Sequence, residues 1–155
     1  MNNEKDNVYD LVEDFYAHDE GWNTLLRQEY AEGFLRMEAW KGKKNSDLYR
    51  SWDNLTMLCL YLGSAETFLG DMNADDFIDC IAWCGRNISE FTPDYKNTQD
   101  FLETCDGLFK YLKGKNAISN DTVPGTAAEI LLQEGKMNII CLLYTSPSPR
   151  DRQKS

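Results

Sequence analysis

The sequence predicts an all-α fold, a single bundle of about five or six helices followed by an unstructured tail. Apolar residues recur every three or four positions along almost the whole chain, which is the spacing of one helix face. No stretch alternates apolar and polar residues as a half-buried strand does for more than a few positions. The first 140 residues suit one domain with a real core, which its Trp and Phe residues would anchor.

The first two helices are predicted at residues 8–16 and 22–37, where the apolar residues keep helical spacing. Gly21 separates them, and Gly33 weakens the second, since glycine is a poor helix former. Residues 41–47, KGKKNSD, form a polar loop with the only basic cluster of the sequence. We interpret this cluster as solvated surface and not as a binding patch.

A third helix is predicted to begin with Ser46 or Asp47 as its cap and to end at Gly63. One face carries an apolar stripe, but further apolar residues lie off it: Met57, Leu58, Leu60 and Tyr61. A helix that is apolar on more than one face lies at the centre of a bundle or in an interface. The central position is the preferred interpretation, and homodimerisation through this surplus apolar surface is the alternative hypothesis.

The fourth helix is predicted to begin after Asn73 and to end at Gly85, after a short turn at residues 64–72. Asn73 and Asp76 have the spacing of a capping box, with Asp in place of the usual Glu or Gln. Acidic residues in a first turn also suit the helix dipole. The cap therefore fixes where this helix begins.

A connector at residues 86–97 leads to the clearest helix, predicted from Thr98 to Gly114. The connector includes a Thr-Pro step, and a residue before proline is disfavoured in a helix. The last helix is predicted at residues 126–133, after a Pro-Gly pair. Residues 135–140 have the composition of a strand start.

The tail, residues 141–155, differs in composition from the rest, with two Ser-Pro steps and four charged residues near its end. Such a segment cannot bury a core. Residues 141–151 back-translate in one reading frame into a string that resembles the transposase adapter used in short-read sequencing. On this resemblance, residues 1–140 are predicted to be a C-terminally truncated natural domain, and residues 141–155 an artefactual unstructured tail.

The charge of the chain restricts its partners. Residues 1–140 hold 13 basic and 25 acidic residues, so their formal charge is −12. This acidity argues against nucleic acid and anionic membranes as partners, and a basic protein partner or simple solubility is easier to accept. No stretch has the ~20 apolar residues that a membrane helix needs, and the N-terminus does not resemble a signal peptide.

Four cysteines precede the tail, and all lie within apolar helical patterns: Cys59, Cys80, Cys84 and Cys105. Free cysteines in such positions behave as small core residues, and a reducing cytoplasm is their simplest location. Cys80 and Cys84 share a helix face and could supply part of a metal site. A zinc site needs about four ligands, and His18 is the only histidine, so two core cysteines are the preferred interpretation.

The densest group of acidic residues surrounds the fourth helix start: Asp71, Asp75, Asp76 and Asp79. Paired carboxylates bind Mg²⁺ or perform acid–base chemistry, but acidic residues gather at helix starts for dipole reasons alone. The sequence also lacks a nucleophile elbow and a phosphate-binding glycine loop. We therefore predict no catalytic, cofactor-binding or metal-binding residue, and catalysis is not the favoured function.

Residues from about 50 to 121 resemble the SAM-like core-binding domain of tyrosine recombinases. Two segments within this range, residues 72–83 and residues 97–121, resemble the second half of that domain. The matching features are Phe109, Tyr111-Leu112, Gly114, Ile118 and Asn120, in the family's order. Asp121 stands where the family usually has proline. The resemblance implies a four-helix domain that clamps DNA ahead of a separate catalytic domain, so no catalytic residue maps onto this segment.

Two functions are therefore predicted. The first is a small acidic helical protein that acts through protein–protein contacts in the cytoplasm, with a protein partner or as a homodimer. The alternative is the N-terminal DNA-binding core domain of a tyrosine recombinase, truncated before its catalytic domain.

Overall fold

The protein is all-α, as predicted. A computed structural model describes residues 7–18 and 25–137, and these ranges contain six α-helices and no strand. Residues 141–155, where a tail is predicted, lie outside the described residues, as do residues 138–140. The helices are α1 (Val8–His18), α2 (Gln28–Trp40), α3 (Asn45–Ala65), α4 (Ala74–Asn87), α5 (Tyr95–Gly114) and α6 (Val123–Gln133), with one 3₁₀ turn at Leu69–Asp71.

Helix α3 lies at the centre of the bundle and packs against α1, α2, α4 and α5. Three of the four off-stripe residues are buried, namely Met57, Leu58 and Tyr61, whereas Leu60 is 40 % exposed. The preferred interpretation of α3 as the central helix is therefore confirmed. The surplus apolar surface that the dimer hypothesis invokes is largely inside the bundle.

Three helix boundaries at α2 and α3 differ from the prediction. Helix α3 begins at Asn45 with Lys44 as its N-cap residue, so the predicted cap at Ser46 or Asp47 is wrong. Helix α2 begins at Gln28 and not at residue 22, which lies outside the described residues. Leu26 precedes α2 and is buried, and its carbonyl accepts a hydrogen bond from the Tyr16 hydroxyl at 2.6 Å. Helix α3 continues through Gly63, because its left-handed cap is Glu66 (φ 55°), whose backbone N–H donates to the Leu62 carbonyl.

Helix α4 begins as predicted. The Asn73 side chain accepts from the Asp76 backbone N–H at 2.9 Å, and the Asp76 carboxylate accepts from the Asn73 N–H at 2.9 Å. The predicted stop at Gly85 is wrong, since α4 runs on to Asn87. Gly85 keeps a helical conformation, so the glycine alone does not end the helix.

Helix α5 begins three residues earlier than predicted. Asp94 caps it by accepting from the Asn97 backbone N–H at 2.9 Å, and Thr98 is a buried first-turn residue. Gly114 is the last residue of α5, as predicted. Helix α6 also begins early, at Val123, with proline in its first turn, where the missing N–H costs no helical hydrogen bond. The residues from Gly135 to Met137 form turns and not a strand.

Gly33 has a structural role in the contact between α2 and α5. A Cβ atom at Gly33 would collide with the Tyr111 hydroxyl and lie 2.9 Å from Tyr111 Cζ. The Tyr111 ring also packs edge-on against Phe34, with 6.3 Å between centroids. Glycine therefore lets a tyrosine of α5 lie directly against the α2 backbone, which offsets its low helix propensity.

Candidate functional site

The four cysteines are free and buried in the core. Burial raises the pKa of Cys59 to about 12 and also raises the pKa of Cys80, with a further contribution from Cys84. The Cys84 thiol points to the Met57 carbonyl at 3.9 Å. Thiols held in this state are poor nucleophiles and poor metal ligands. Within residues 7–18 and 25–137, no group of three or more His, Cys, Asp or Glu side chains could hold a metal ion.

The acidic residues around the start of α4 have ordinary structural positions. Asp76 completes the capping box, and Asp75 is an exposed first-turn residue. His18 lies at the C-terminal end of α1, with Nδ1 2.7 Å from the Asp14 carbonyl. The structure therefore does not bring His18 to the acidic residues of α4 or to the cysteine pair as part of one site.

A cleft that the sequence analysis did not predict lies between α3, the connector after α4, and α5. Its volume is about 460 Å³. We call it the acidic cleft, because three carboxylates line it: Asp53, Glu90 and Asp100. Arg50 is the one cationic side chain among its lining residues, and Arg50 Nη1 lies 3.9 Å from Asp47 Oδ1, outside the cleft.

Asn54 forms the inner wall of the acidic cleft and is only 5 % exposed. Its Nδ2 donates to Asp100 Oδ2 at 3.1 Å and to Thr104 Oγ1 at 3.0 Å. The Asp100 carboxylate is an acceptor when ionised, so the nitrogen of the Asn54 amide must face it and the oxygen must point elsewhere. Asn54 Oδ1 accepts no hydrogen bond from any residue that the structure describes.

The cleft carboxylates form no ion pair with Arg50, the cation of the same lining. Within the described part of the chain, no ion pair joins Asp53, Glu90 or Asp100 to a Lys, Arg or His side chain. Asp53 and Glu90 are exposed, and Asp100 is half-buried. Desolvation at the cleft raises the pKa of Asp53, because it disfavours the charged form of the carboxyl group.

The other wall of the acidic cleft is apolar. It consists of Met57 from α3 together with Ile88 and Phe91 from the connector. The Phe91 ring is held against Phe101 of α5, with 6.4 Å between centroids. The cleft thus combines an apolar wall with carboxylate oxygens.

A second concave surface, the α5–α6 groove, has a volume of about 410 Å³. Its floor and α6 side are apolar, and are formed by Leu102, Pro124, Ala128, Leu132 and Met137. Its α5 side is polar and includes Glu103, Asp106 and Lys110, with Lys110 Nζ 2.7 Å from Asp106 Oδ1. Leu132 is 52 % exposed although its neighbours on the floor, Leu102 and Met137, are buried.

The basic loop at residues 41–47 follows an exposed tryptophan that the sequence analysis did not single out. Trp40 is 88 % exposed. Lys43 Nζ lies 3.2 Å from Glu38 Oε1, which also accepts from Ser51, so this lysine is tied back to the bundle.

The positions that carry the recombinase resemblance have packing roles. Phe109 and Leu112 are buried, and Phe109 packs edge-on against Phe77 of α4 with 5.4 Å between centroids. Asn120 accepts from the backbone N–H of Thr122 at 2.9 Å and so shapes the turn before α6. Of these positions, Phe109 and Leu112 therefore belong to the core, whereas Asn120 is exposed.

Comparisons of the chain with protein-family models, with curated proteins and with solved structures find no match. Among the described residues, no helix is both long enough and apolar enough to span a membrane.

Two features of the sequence could have indicated the acidic cleft and the α5–α6 groove. Asn54 is a polar residue at helical spacing from the apolar Met57, Leu58 and Tyr61, which marks it as a buried polar position. The exposed Leu132 follows Leu131, which is fully buried, so one of the two must face away from the core. Neither feature identifies which helices pack around Asn54 or Leu132, because that depends on contacts between distant segments of the chain.

Proposed function

We propose that the protein acts through protein–protein contacts and that the α5–α6 groove binds an amphipathic helix of a partner. The observation that carries this proposal is the groove's two-sided lining, with an apolar α6 side facing a polar α5 side. An amphipathic helix binds such a groove by burying its apolar face. A basic residue on the flank of that helix would meet Glu103, whereas Asp106 is already paired with Lys110.

The exposure of Leu132 supports the same proposal. Leu132 is half exposed beside the buried floor of the groove, so a partner that covers it would remove apolar area from water and stabilise the complex. The acidic charge of the chain favours a partner with basic residues. The four free thiols suit a reducing compartment, so a cytoplasmic location belongs to this proposal.

The test uses a synthetic helical peptide with leucines at i, i+3, i+4 and i+7 and lysines on its flank, followed by fluorescence anisotropy. Leu132→Gln should weaken binding at least about fivefold, because it removes apolar contact area from the groove. Leu11→Gln is the matched control, since Leu11 of α1 is exposed to 39 % and lies outside the groove. A peptide with glutamates in place of the lysines should bind more weakly.

Equal binding by wild type, Leu132→Gln and Leu11→Gln would refute the groove as the contact site. The DNA-binding alternative is a separate proposal that rests on the order of residues in α4 and α5. It predicts retention on duplex DNA that weakens steeply with salt, and absence of retention at low salt would remove it.

A further inference from the structure

We infer that the C-terminal end of α2 and the loop after it form a docking surface for an acidic segment of a partner protein. The surface consists of Arg36, Trp40, Lys41, Lys43 and Lys44, all of which are exposed, and we call it the Trp40 surface. It shares no residue with the α5–α6 groove, so the inference does not depend on the function proposed for that groove. Three features support it: the exposure of Trp40, the basic charge around it and the ordered loop that carries the lysines.

Trp40 provides the apolar contact. It is 88 % exposed, whereas Phe68, the next most exposed large apolar residue that the structure describes, is 56 % exposed. Tryptophan is highly buried on average in folded proteins, and an aromatic side chain removes ~150–250 Å² from water when it is covered. Tryptophan is also among the residues that most often dominate the binding energy of an interface. The exposure of Trp40 therefore replaces the interpretation of this segment as mere solvated surface.

The charge around Trp40 is opposite to that of the chain. Residues 36–44 contain four basic residues and one acidic residue, a formal charge of +3, whereas the whole chain carries −10. Arg36 and Trp40 are four positions apart and share one face of α2. The Arg36 guanidinium lies over the Tyr9 ring, 4.2 Å from its centroid, a contact that positions the group without neutralising its charge. Carboxylates of an acidic segment complement such a surface.

Two of the three lysines have no carboxylate partner. Lys43 Nζ lies 3.2 Å from Glu38 Oε1, but no ion pair within the described part of the chain engages Lys41 or Lys44. Lys41 caps the C-terminal end of α2, where a cation stabilises the helix dipole. Lys44 is the N-cap residue of α3, where it makes no capping hydrogen bond and its charge opposes the dipole. Residues that break a local rule in this way are expected at functional surfaces.

The loop that carries the lysines is ordered before any partner binds. The Gly42 N–H donates to the Ala39 carbonyl at 3.0 Å, and the Lys43 N–H donates to the Glu38 carbonyl at 3.1 Å. Gly42 has a φ of 105°, which glycine adopts without strain. Because the backbone is already fixed, binding at this surface orders little further chain, and that favours affinity.

An acidic protein segment fits the Trp40 surface better than an anionic membrane does. A membrane is a wide plane, which would bring the acidic remainder of the chain within a Debye length, ~10 Å, of anionic headgroups. A peptide segment contacts only the local surface, where the formal charge is +3.

The experiment titrates the full, isotopically labelled chain with a short probe peptide, in which four glutamates surround one phenylalanine, and follows the indole N–H resonances by NMR. The Trp40 resonance, identified with Trp40→Phe, should shift, whereas that of Trp52, which is 4 % exposed, should not. A peptide with alanine in place of the phenylalanine should bind more weakly, because it loses the contact with the Trp40 ring.

Variants separate the aromatic contribution from the charge. In fluorescence anisotropy with the labelled probe, Trp40→Ala should weaken binding at least about tenfold. Phe68→Ala is its matched control, since Phe68 is an exposed aromatic residue outside the Trp40 surface. The double variant Lys41→Gln/Lys44→Gln should weaken binding at least about threefold and reduce its dependence on salt.

A matched control for the charge is Lys96→Gln/Lys113→Gln, which removes two exposed lysines of α5. The inference is overturned if the probe does not bind, or if either control weakens binding as much as its test variant. Retention of the protein on phosphatidylserine vesicles without binding of the probe would assign the surface to a membrane and overturn it as well. Leu132→Gln should leave the affinity for this probe unchanged, and a loss equal to that of Trp40→Ala would assign the probe to the groove instead. Circular dichroism of each variant verifies that the fold is intact.

Discussion

The close contact between Gly33 and Tyr111 predicts that Gly33→Ala destabilises the wild-type protein but stabilises a Tyr111→Leu variant. Gly33→Ala places a methyl group against the Tyr111 hydroxyl and 2.9 Å from Cζ, so the tyrosine ring must move. The ring is confined by Phe34 on one side and by Lys115, whose Nζ lies 5.6 Å from the ring centroid. Overpacking of this kind typically costs about 1–3 kcal/mol.

A second effect acts in the opposite direction. Alanine in a helix interior is more stable than glycine by about 1 kcal/mol. The two effects together predict that Gly33→Ala lowers the free energy of unfolding by about 0–2 kcal/mol. In a Tyr111→Leu background the hydroxyl and Cζ are gone, so Gly33→Ala should instead raise the free energy of unfolding by about 1 kcal/mol.

The assay is urea unfolding of the four proteins of this double-mutant cycle, followed by circular dichroism. The coupling free energy between positions 33 and 111 should be about 1–3 kcal/mol. Gly114→Ala is the matched control, because no atom lies within 4 Å of a Cβ placed there. The reasoning is refuted if Gly33→Ala changes stability equally in both backgrounds.

Three further predictions concern caps and the acidic cleft. Asn73→Ala should destabilise the protein by about 1 kcal/mol in urea unfolding, because it removes the side-chain oxygen that accepts from the Asp76 backbone N–H, while the backbone N–H of position 73 can still donate to Asp76; an unchanged midpoint would contradict this. Asn54→Ala should cost about 1–3 kcal/mol in the same assay, since Asp100 and Thr104 lose a buried donor, and a neutral effect would mean that water replaces it fully. Asp53→Asn should raise the melting temperature at neutral pH, and a melting temperature equal to wild type at all pH values would contradict the desolvation of Asp53.

The sign of the Asp53 effect follows from linkage. The folded-state pKa of Asp53 is raised, so the folded state binds the proton more tightly than the unfolded state does. The ionised carboxylate therefore opposes folding above its folded-state pKa, and this cost disappears as the pH falls through that pKa. The advantage of Asp53→Asn should be largest at neutral pH and should fade in acid.

The fold class and the central helix could be predicted because they depend on local periodicity. The apolar residues on several faces of α3 indicate its central position without knowledge of its neighbours. The boundaries of α3 and α4 could not be predicted from glycine alone: Gly63 and Gly85 stay helical, and the chain leaves the helix at Glu66 and Ile88. Burial of the flanking apolar residues outweighs the propensity cost of about 1 kcal/mol per glycine.

The acidic cleft shows the limit of sequence reasoning more sharply. Its carboxylates come from α3, the connector and α5, and their juxtaposition depends on how those segments pack. The densest acidic group in the sequence, at the start of α4, proves to be a capping feature, whereas Asp53 and Asp100 are 47 positions apart and form the cleft. Local density of acidic residues in the sequence does not predict which carboxylates line the same cleft, because that depends on how distant segments pack.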